Sequence, residues 1–217
     1  MRRTALLPLL TLALAAPALQ AQDFHPSLTI DLIAPTGGFN STTYPANFDP
    51  NSSTPGSPQT EKYDIGLGLD FGLSFPTSRA TAIRLNFAAN GNTGTNSAPG
   101  YSTINLRHTM LSIGGDLQIF PNQGAYRHSG FYLLAGVSAD FESFDYNYDY
   151  NYGYNTGTTT NKSRMGGEIG LGNTFGGDAG TRFTLEVTYH TSLTGHDANA
   201  GDPPATSFVR AGFGWVF

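Results

Sequence analysis

A histidine and a serine two positions apart are the residues of this chain best suited to covalent chemistry. His190 and Ser192 flank Thr191 at the end of an alternating apolar segment. An imidazole that accepts the proton of a serine hydroxyl turns that oxygen into a nucleophile able to cleave an ester. Because a histidine and a serine often fall close together by chance, the pair supports a hydrolase only as one hypothesis among others.

Charged residues at alternate positions of apolar segments form a second set. Side chains that point into a protein interior must be paired when they are charged, because an isolated buried charge is very costly. The predicted interior charge network comprises Asp31, Asp70, Arg84, Asp116, Glu168, Arg182, Glu186 and Arg210, and His108, Gln118, Asp140 and His190 fall on the same face. We expect two arginines to meet carboxylates on the strands beside them: Arg84 with Asp70 and Asp116, and Arg210 with Glu186 and Asp31. The network is either a structural plug or a gate for a narrow ion path.

These side chains are carried by β-strands, because apolar residues recur at every second position nearly throughout the chain. From Tyr63 to Phe71 the odd positions are apolar, and the even positions are glycine or aspartate. Side chains alternate between the two faces of a strand, so one face is apolar and the other is small or charged. The predicted strands lie near 27–34, 63–73, 80–88, 103–120, 131–144, 164–175, 182–191 and 208–217.

The gaps between the predicted strands alternate in length. The gaps after the second, fourth and sixth strands are short, and the others are long and rich in Asn, Ser, Thr, Gly and Pro. Outer-membrane barrels combine short periplasmic turns with longer extracellular loops. Lipid cannot satisfy the edge of an open sheet, so such a sheet must close. The sequence therefore predicts an all-β fold, an eight-stranded antiparallel up-and-down transmembrane β-barrel, with a soluble β-sandwich as the alternative.

The N-terminal segment has the features of a secretory signal peptide. Arg2 and Arg3 precede an apolar stretch that ends in small residues at Ala18 and Ala21. We expect residues 1–21 to be cleaved and residues 22–217 to form the barrel domain. The chain has no cysteine, which excludes disulfides, thiolate metal sites and a lipoprotein anchor.

The composition of the chain favours a membrane barrel over a soluble domain. Only 12% of the residues are charged, whereas soluble domains carry about 25%. Acidic residues outnumber basic ones by 16 to 11, and no basic cluster is present, so nucleic acid is a poor candidate partner. His25 and His128 are single residues in predicted loops, and neither they nor any other residues predict a metal or a cofactor.

The last ten residues resemble the assembly signal of bacterial outer-membrane proteins. This signal comprises Arg210, Gly212, Trp215 and the terminal aromatic Phe217. With the signal peptide and the eight alternating strands, they make the chain similar to the small outer-membrane barrels, the OmpA/OmpX/OmpW-like superfamily. The resemblance implies location in the outer membrane and contact with its lipid and lipopolysaccharide. It also implies assembly by periplasmic chaperones and the barrel-assembly machinery.

The pair His190 and Ser192 also resembles the His-x-Ser motif of outer-membrane lipid A deacylases, in which the histidine would be the base and the serine the nucleophile. The match is incomplete, because Leu193 stands where that family has asparagine. No glutamate occurs between residues 203 and 217, where the family's acid is expected, and Asp197 or Asp202 would have to replace it.

A tyrosine-rich run follows the fifth predicted strand. Its tyrosines are Tyr146, Tyr148, Tyr150, Tyr152 and Tyr154. They occupy even positions, whereas the lipid-facing residues of that strand are odd, so either a bulge intervenes or the rings leave the membrane face. We predict that they offer a surface for an extracellular ligand, since tyrosine gives rigid contact area at low entropic cost.

Three functions therefore remain open at this point. The first is a non-enzymatic outer-membrane barrel that supports the membrane and recognises or adheres to surfaces through its extracellular loops. The second is a narrow channel for small or apolar solutes. The third is a lipid A deacylase-like hydrolase.

Overall fold

The computed structural model of the chain describes residues 24–44, 59–97, 103–149, 155–176, 181–194 and 203–217. The expected signal peptide lies outside these residues. Among them, no helix is long and apolar enough to cross a membrane. The strands are β1 (His25–Pro35), β2 (Ser41–Tyr44), β3 (Gln59–Tyr63), β4 (Gly66–Pro76), β5 (Thr81–Ser97), β6 (Thr103–Ile119), β7 (Gly130–Asp149), β8 (Asn155–Phe175), β9 (Arg182–Ser192) and β10 (Ser207–Val216). A helical turn, α1 (Gly37–Asn40), and a 3₁₀ turn (Ala125–Arg127) complete the elements.

Eight of the strands form a closed antiparallel ring. β1 pairs with both β4 and β10, so the first and last strands of the barrel are joined. The ring continues through β4, β5, β6, β7, β8, β9 and β10, each paired with the next. The prediction of an eight-stranded up-and-down barrel is confirmed. We call the end with the β4–β5, β6–β7 and β8–β9 connections the turn end, and the opposite end the loop end.

The outer face of the barrel carries an apolar belt. Large apolar side chains that would be buried in a soluble protein are exposed here, for example Leu67 at 65% and Ile169 at 62%. The burial pattern alternates strictly along β1, β4 and β9, and apart from Ile33 the inner positions carry polar, charged or small residues. A barrel that is apolar outside and polar inside is the arrangement that a lipid bilayer stabilises.

A bulge at Asp64 and Ile65 reverses the alternation that the sequence predicts for Tyr63. Tyr63 pairs with Gly94 of β5, and Leu67 pairs with Gly91. Between these two pairs the chain advances by four residues, whereas β5 advances by three. One extra residue in a strand pair turns the following side chains to the other face. Tyr63 therefore lies inside, only 2% exposed, and its expected place on the lipid face is wrong.

Four neighbouring strands continue beyond the apolar belt at the loop end. β5 and β6 have 17 residues each, β7 has 20 and β8 has 21, compared with 11 in β1, β4 and β9. β2 and β3 extend the same sheet at the side of β5. We call the parts of β5 to β8 beyond the belt, residues 91–97, 103–109, 143–149 and 155–161, the projecting sheet. Much of what the sequence indicates as loops after the third and fifth predicted strands is thus paired strand.

The tyrosine-rich run begins inside this sheet and not on the outer surface. The register of β7 with β6 and β8 is unbroken from Phe141 to Asp149, so there is no bulge. The side chains of Phe144 and Tyr146 therefore stay on the inner face, and Tyr146 packs against the buried cluster at the loop end. The predicted contact of Tyr146 with an extracellular ligand stays a prediction. Tyr148 lies further along β7, and Tyr150, Tyr152 and Tyr154 lie outside the described residues.

Candidate functional site

Arg84 holds two carboxylates at the centre of the lumen. Its guanidinium donates two hydrogen bonds to Glu186, at 2.7 and 3.2 Å, and its Nε donates to Asp116 at 2.9 Å. Tyr132 also donates its hydroxyl to Glu186 at 2.7 Å. Arg84 is 4% exposed, so these charges are removed from water together. The cost of burying these charges is offset because each of them contacts an opposite charge.

Arg210 makes a second group one level nearer the loop end. It donates to both carboxylate oxygens of Glu168, at 2.8 and 2.7 Å. Its other terminal nitrogen lies 3.1 Å from the Asp70 carboxylate. Its Nε donates to the hydroxyl of Thr188 at 3.2 Å, so contacts from all three nitrogens fix the plane of the guanidinium as well as its position.

The sequence places these charged residues inside but pairs only some of them correctly. Arg84 meets Asp116 on the neighbouring strand as expected, yet its strongest partner, Glu186, lies across the lumen. The salt bridges of Arg210 run to Glu168 and Asp70 in place of the expected Glu186 and Asp31. Strand order alone indicates partners on adjacent strands. An arginine side chain, however, is long enough to reach across the lumen of an eight-stranded barrel.

Glycines on the inner face make room for these groups. A Cβ at Gly136 would overlap the carboxylate of Asp116. A Cβ at Gly166 would overlap the carboxylate of Asp140 and crowd the ring of His190. Glycine permits such close approach because it has no side chain.

His190 is held between two carboxylates, and this arrangement does not suit a general base for Ser192. Its Nε2 lies 3.1 Å from Asp140, and its Nδ1 lies 3.9 Å from Glu168. The ring stacks on Phe208 at 4.8 Å between centroids. A base must present a free ring nitrogen to the hydroxyl that it deprotonates. The sequence does not indicate that an acid contacts His190, because this acid, Asp140, comes from β7 and not from the last strand.

Arg164 joins the end of the last long connection to the inner wall of the barrel. It donates to the carbonyl oxygens of Pro203 and Pro204, both at 2.8 Å, and forms a salt bridge with Glu142 at 2.9 Å. Its guanidinium also lies over the ring of Phe144. Arg164 and Glu142 are absent from the predicted charge network, although both fall on the inner face in phase with Glu168 and Asp140.

An apolar cap lies at the turn end of the charged centre. It consists of Ala82, Phe120, Ala125, Tyr132 and Leu134. His128 follows the 3₁₀ turn and packs between Phe120 and Tyr132. Burial, with the neighbouring positive charges, lowers the pKa of His128 to about 3.

His25 also reaches this end of the lumen. Its ring lies 6.0 Å from that of His128, and its Nδ1 lies 3.2 Å from the guanidinium of Arg182. The two histidines that the sequence indicates as single loop residues thus meet beneath the barrel. Arg182 is buried and takes part in this contact at the turn end.

A second apolar cap lies at the loop end. It consists of Ile33, Phe39, Tyr63, Leu106, Met110, Phe144 and Phe208, with Tyr146 packed on it. Phe39 of α1 stacks on Tyr63 at 4.7 Å and meets the ring of His108 edge-on at 4.8 Å. Sequence reasoning missed this cap, because it depends on the bulge before β4 and on α1 folding over the lumen.

Comparison with solved structures supports this fold. No protein-family model matches the sequence, and no curated protein matches it. Among solved structures, Ail, the attachment invasion locus protein of Yersinia pestis in complex with the heparin analogue sucrose octasulfate, matches with a TM-score of 0.51 and 12% identity, covering 90% of this chain and all of that one. The translocator domain of the autotransporter NalP from Neisseria meningitidis matches with a TM-score of 0.42 and 8% identity, over 97% of this chain and 94% of that one.

This chain has the fold of a small outer-membrane β-barrel. The statement rests on the closed eight-stranded ring and its apolar belt together with the likeness to Ail, which at this identity concerns the fold alone.

The lumen of the barrel is filled at the level of the charged groups. The space left between Asn86, Asp116, Glu168, His190 and Arg210 is about 10 Å³. A cavity needs about this volume to hold a single water molecule. Within the described parts of the chain, no three histidine, aspartate or glutamate side chains are placed to hold a metal ion.

The residues of the expected assembly signal occupy both faces of β10. Arg210 and Gly212 face the lumen, where a Cβ at Gly212 would overlap the carboxylate of Asp31. Trp215 lies on the outer face against Phe213, and Phe217 is 59% exposed. Two of the four residues thus also serve the packing of the lumen.

Proposed function

We propose that the protein is a non-enzymatic surface protein of the bacterial outer membrane that recognises extracellular partners through its loop end. In this proposal residues 1–21 direct export and are removed, and residues 22–217 form the barrel. Arg210, Gly212, Trp215 and Phe217 are its signal to the assembly machinery. The loop end faces the outside of the cell.

The observation that carries the proposal is the projecting sheet. Along β7, Phe141 is the last large apolar residue of the outer face, and Ser143 to Asp149 continue beyond it in pairing with both neighbours. At about 3.3 Å per residue, this part extends roughly 20 Å along the strand. Spanning the membrane does not require these residues, since strands of 9–11 residues already suffice. A rigid, paired extension is well suited to presenting a binding surface away from the lipid.

The interior supports this proposal over the two alternatives. A lumen closed by apolar caps at both ends and by salt bridges between them leaves little room for solute passage. The contacts of His190 also disfavour the hydrolase, because its Nε2 is engaged by Asp140 and its Nδ1 faces Glu168, and a ring held between two carboxylates is poorly placed to activate Ser192.

A glycan is one class of extracellular partner to test. Ail was crystallised with a heparin analogue, and its fold is shared by this chain. The net charge of −5 of this chain disfavours a heavily sulfated ligand, so binding through polar and aromatic contacts is the better hypothesis.

The proposal is tested by shortening the β7–β8 hairpin in bacteria that display the protein. Tyr146 and Thr158 face each other across the hairpin, so residues 147–157 can be replaced by Asn-Gly, which favours a two-residue hairpin turn. We expect attachment to cultured epithelial cells to fall to the level of bacteria without the protein. The barrel should still form, since the belt and both caps are retained.

A second variant separates the tyrosine side chains from the length of the hairpin. It keeps the full length of the hairpin but changes Tyr148, Tyr150, Tyr152 and Tyr154 to serine. Loss of attachment in this variant would assign the contact to the rings. The proposal is wrong if the shortened protein reaches the cell surface and mediates attachment as well as the wild type.

A further inference from the structure

The lumen between the two caps contains more carboxylates than cations. Its buried carboxylates are Asp31, Asp70, Asp116, Asp140, Glu168 and Glu186. The buried cations that can balance these six are at most four, Arg84, Arg182, Arg210 and a charged His190, since Arg164 already pairs with Glu142. Without Arg2 and Arg3, nine of the eleven lysines and arginines remain, and all nine are described. The other five are partly or fully exposed or, like Arg164, already paired, so the chain supplies no further lysine or arginine to the lumen.

Asp31 is the carboxylate of this set that the strand register leaves without a side chain opposite it. Its neighbours in the register are Gly68 of β4 and Gly212 of β10. The three guanidinium nitrogens of Arg210 already contact Thr188, Asp70 and Glu168. The Oδ2 atom of Asp31 is buried and has no hydrogen-bond partner among the described residues. Because Asp31 is only 3% exposed, bulk water does not take the place of that partner.

The other carboxylates of the lumen are held as anions by donors. Asp116 accepts hydrogen bonds from Arg84 and from the amide of Asn86. Asp140 accepts hydrogen bonds from the hydroxyls of Ser112 and Ser138, in addition to its contact with His190. A buried carboxylate without such donors is costly as an anion, and binding a proton removes that cost. Asp31 is therefore the position at which a proton relieves the excess of negative charge without breaking a salt bridge.

We propose that Asp31 is a proton-binding site, which keeps its proton in the folded barrel at neutral pH and releases it when the barrel unfolds. The charged groups that act on Asp31 are Asp70 of β4, Arg210 of β10, Glu186 of β9 and Glu168 of β8, three carboxylates against one arginine. A proton fits better than a metal ion, because no three histidine, aspartate or glutamate side chains of the described residues are placed to hold one.

The bound proton makes the stability of the barrel depend on pH. The folded barrel holds one proton that the unfolded chain has released, so raising the pH favours unfolding. An aspartate in an unfolded chain is ionised above about pH 5. Between about pH 5 and pH 7, the unfolding equilibrium constant of the wild type should therefore rise about tenfold per pH unit relative to that of Asp31→Asn. Asparagine has nearly the same shape and does not ionise, so urea titration of both proteins in lipid vesicles isolates the effect of Asp31.

Infrared spectroscopy observes the proton directly. At neutral pH the folded wild type should show the carbonyl band of a protonated carboxylic acid, and Asp31→Asn should lack this band. Asp64→Asn is the matched control, because it makes the same change at an exposed aspartate. It should keep both the band and the pH dependence of the wild type. A gel mobility that changes on boiling shows that each variant has folded.

The inference is wrong if the wild type lacks the band, if Asp31→Asn retains it, or if the ratio of the two unfolding constants does not change with pH. A ratio that follows the sodium concentration in place of the pH would also overturn it, by assigning a bound cation to the site. Neither measurement involves attachment to cells, so the proposed function stands or fails separately.

Discussion

Arginine side chains inside the barrel are held by carboxylates from strands on different sides of the lumen. Arg84 binds Asp116 on the adjacent strand and Glu186 across the lumen, and Arg210 binds Glu168 and Asp70. Alternation in the sequence was enough to predict which residues face inward. It could not predict their partners, because these depend on how the sheet closes and on which rotamer spans the lumen.

The first prediction concerns Arg84, which neutralises two buried carboxylates. Replacing it with methionine keeps most of the side-chain volume and leaves Asp116 and Glu186 without their cation. Removing one partner of a buried ion pair costs about 3–5 kcal/mol. We expect the free energy of unfolding, measured by urea titration in lipid vesicles, to fall by about that amount.

Arg79→Met is the matched control for this prediction. Arg79 is exposed at the turn end, so its replacement should change stability by less than about 0.5 kcal/mol. Adding Glu186→Gln to Arg84→Met should recover part of the loss, since one unpaired charge is removed. Equal stability of the Arg84 and Arg79 variants would show that the central salt bridges do not hold the barrel together.

At the scale of the elements, strand identity was predictable and strand length was not. The eight predicted strands all occur, because apolar alternation marks the parts that face lipid. The projecting part of β6 falls within the predicted strand 103–120, whereas those of β5, β7 and β8 fall largely in predicted loops, since their outer residues are polar and the apolar signal stops at the belt. The bulge before β4 was also missed. Tyr63 continues the apolar pattern of Ile65 and Leu67, so nothing in the alternation marks the extra residue.

The second prediction tests which side chains of β3, the strand before this bulge, face the lumen. The chain has no cysteine, so each single-cysteine variant carries one thiol. We expect Tyr63→Cys to resist a bulky water-soluble maleimide in the folded barrel, because position 63 points into the loop-end cap. Lys62→Cys should react rapidly, because Lys62 is exposed. Rapid labelling at 63 with protection at 62 would instead support the uninterrupted alternation from Tyr63 to Phe71.

The whole molecule is a barrel with its charges sealed between two apolar caps. The sequence predicts closure, since lipid does not tolerate an open sheet edge, and it predicts a narrow interior from the number of strands. The caps could not be foreseen. They unite residues far apart in the chain, such as Phe39 of α1 with Phe144 and Phe208, and Phe120 with Tyr132.

The central claim is that the interior of the barrel is a structural plug, so that function resides on the outer surface at the loop end. Conductance across a planar lipid bilayer tests this claim most directly, using protein whose gel mobility changes on boiling, as a folded barrel requires. We predict no steady conductance from the wild type and none from Arg210→Gln, because the caps close the lumen on both sides of the charged centre. A steady conductance in the wild type that rises in Arg210→Gln would contradict the account and identify the barrel as a channel.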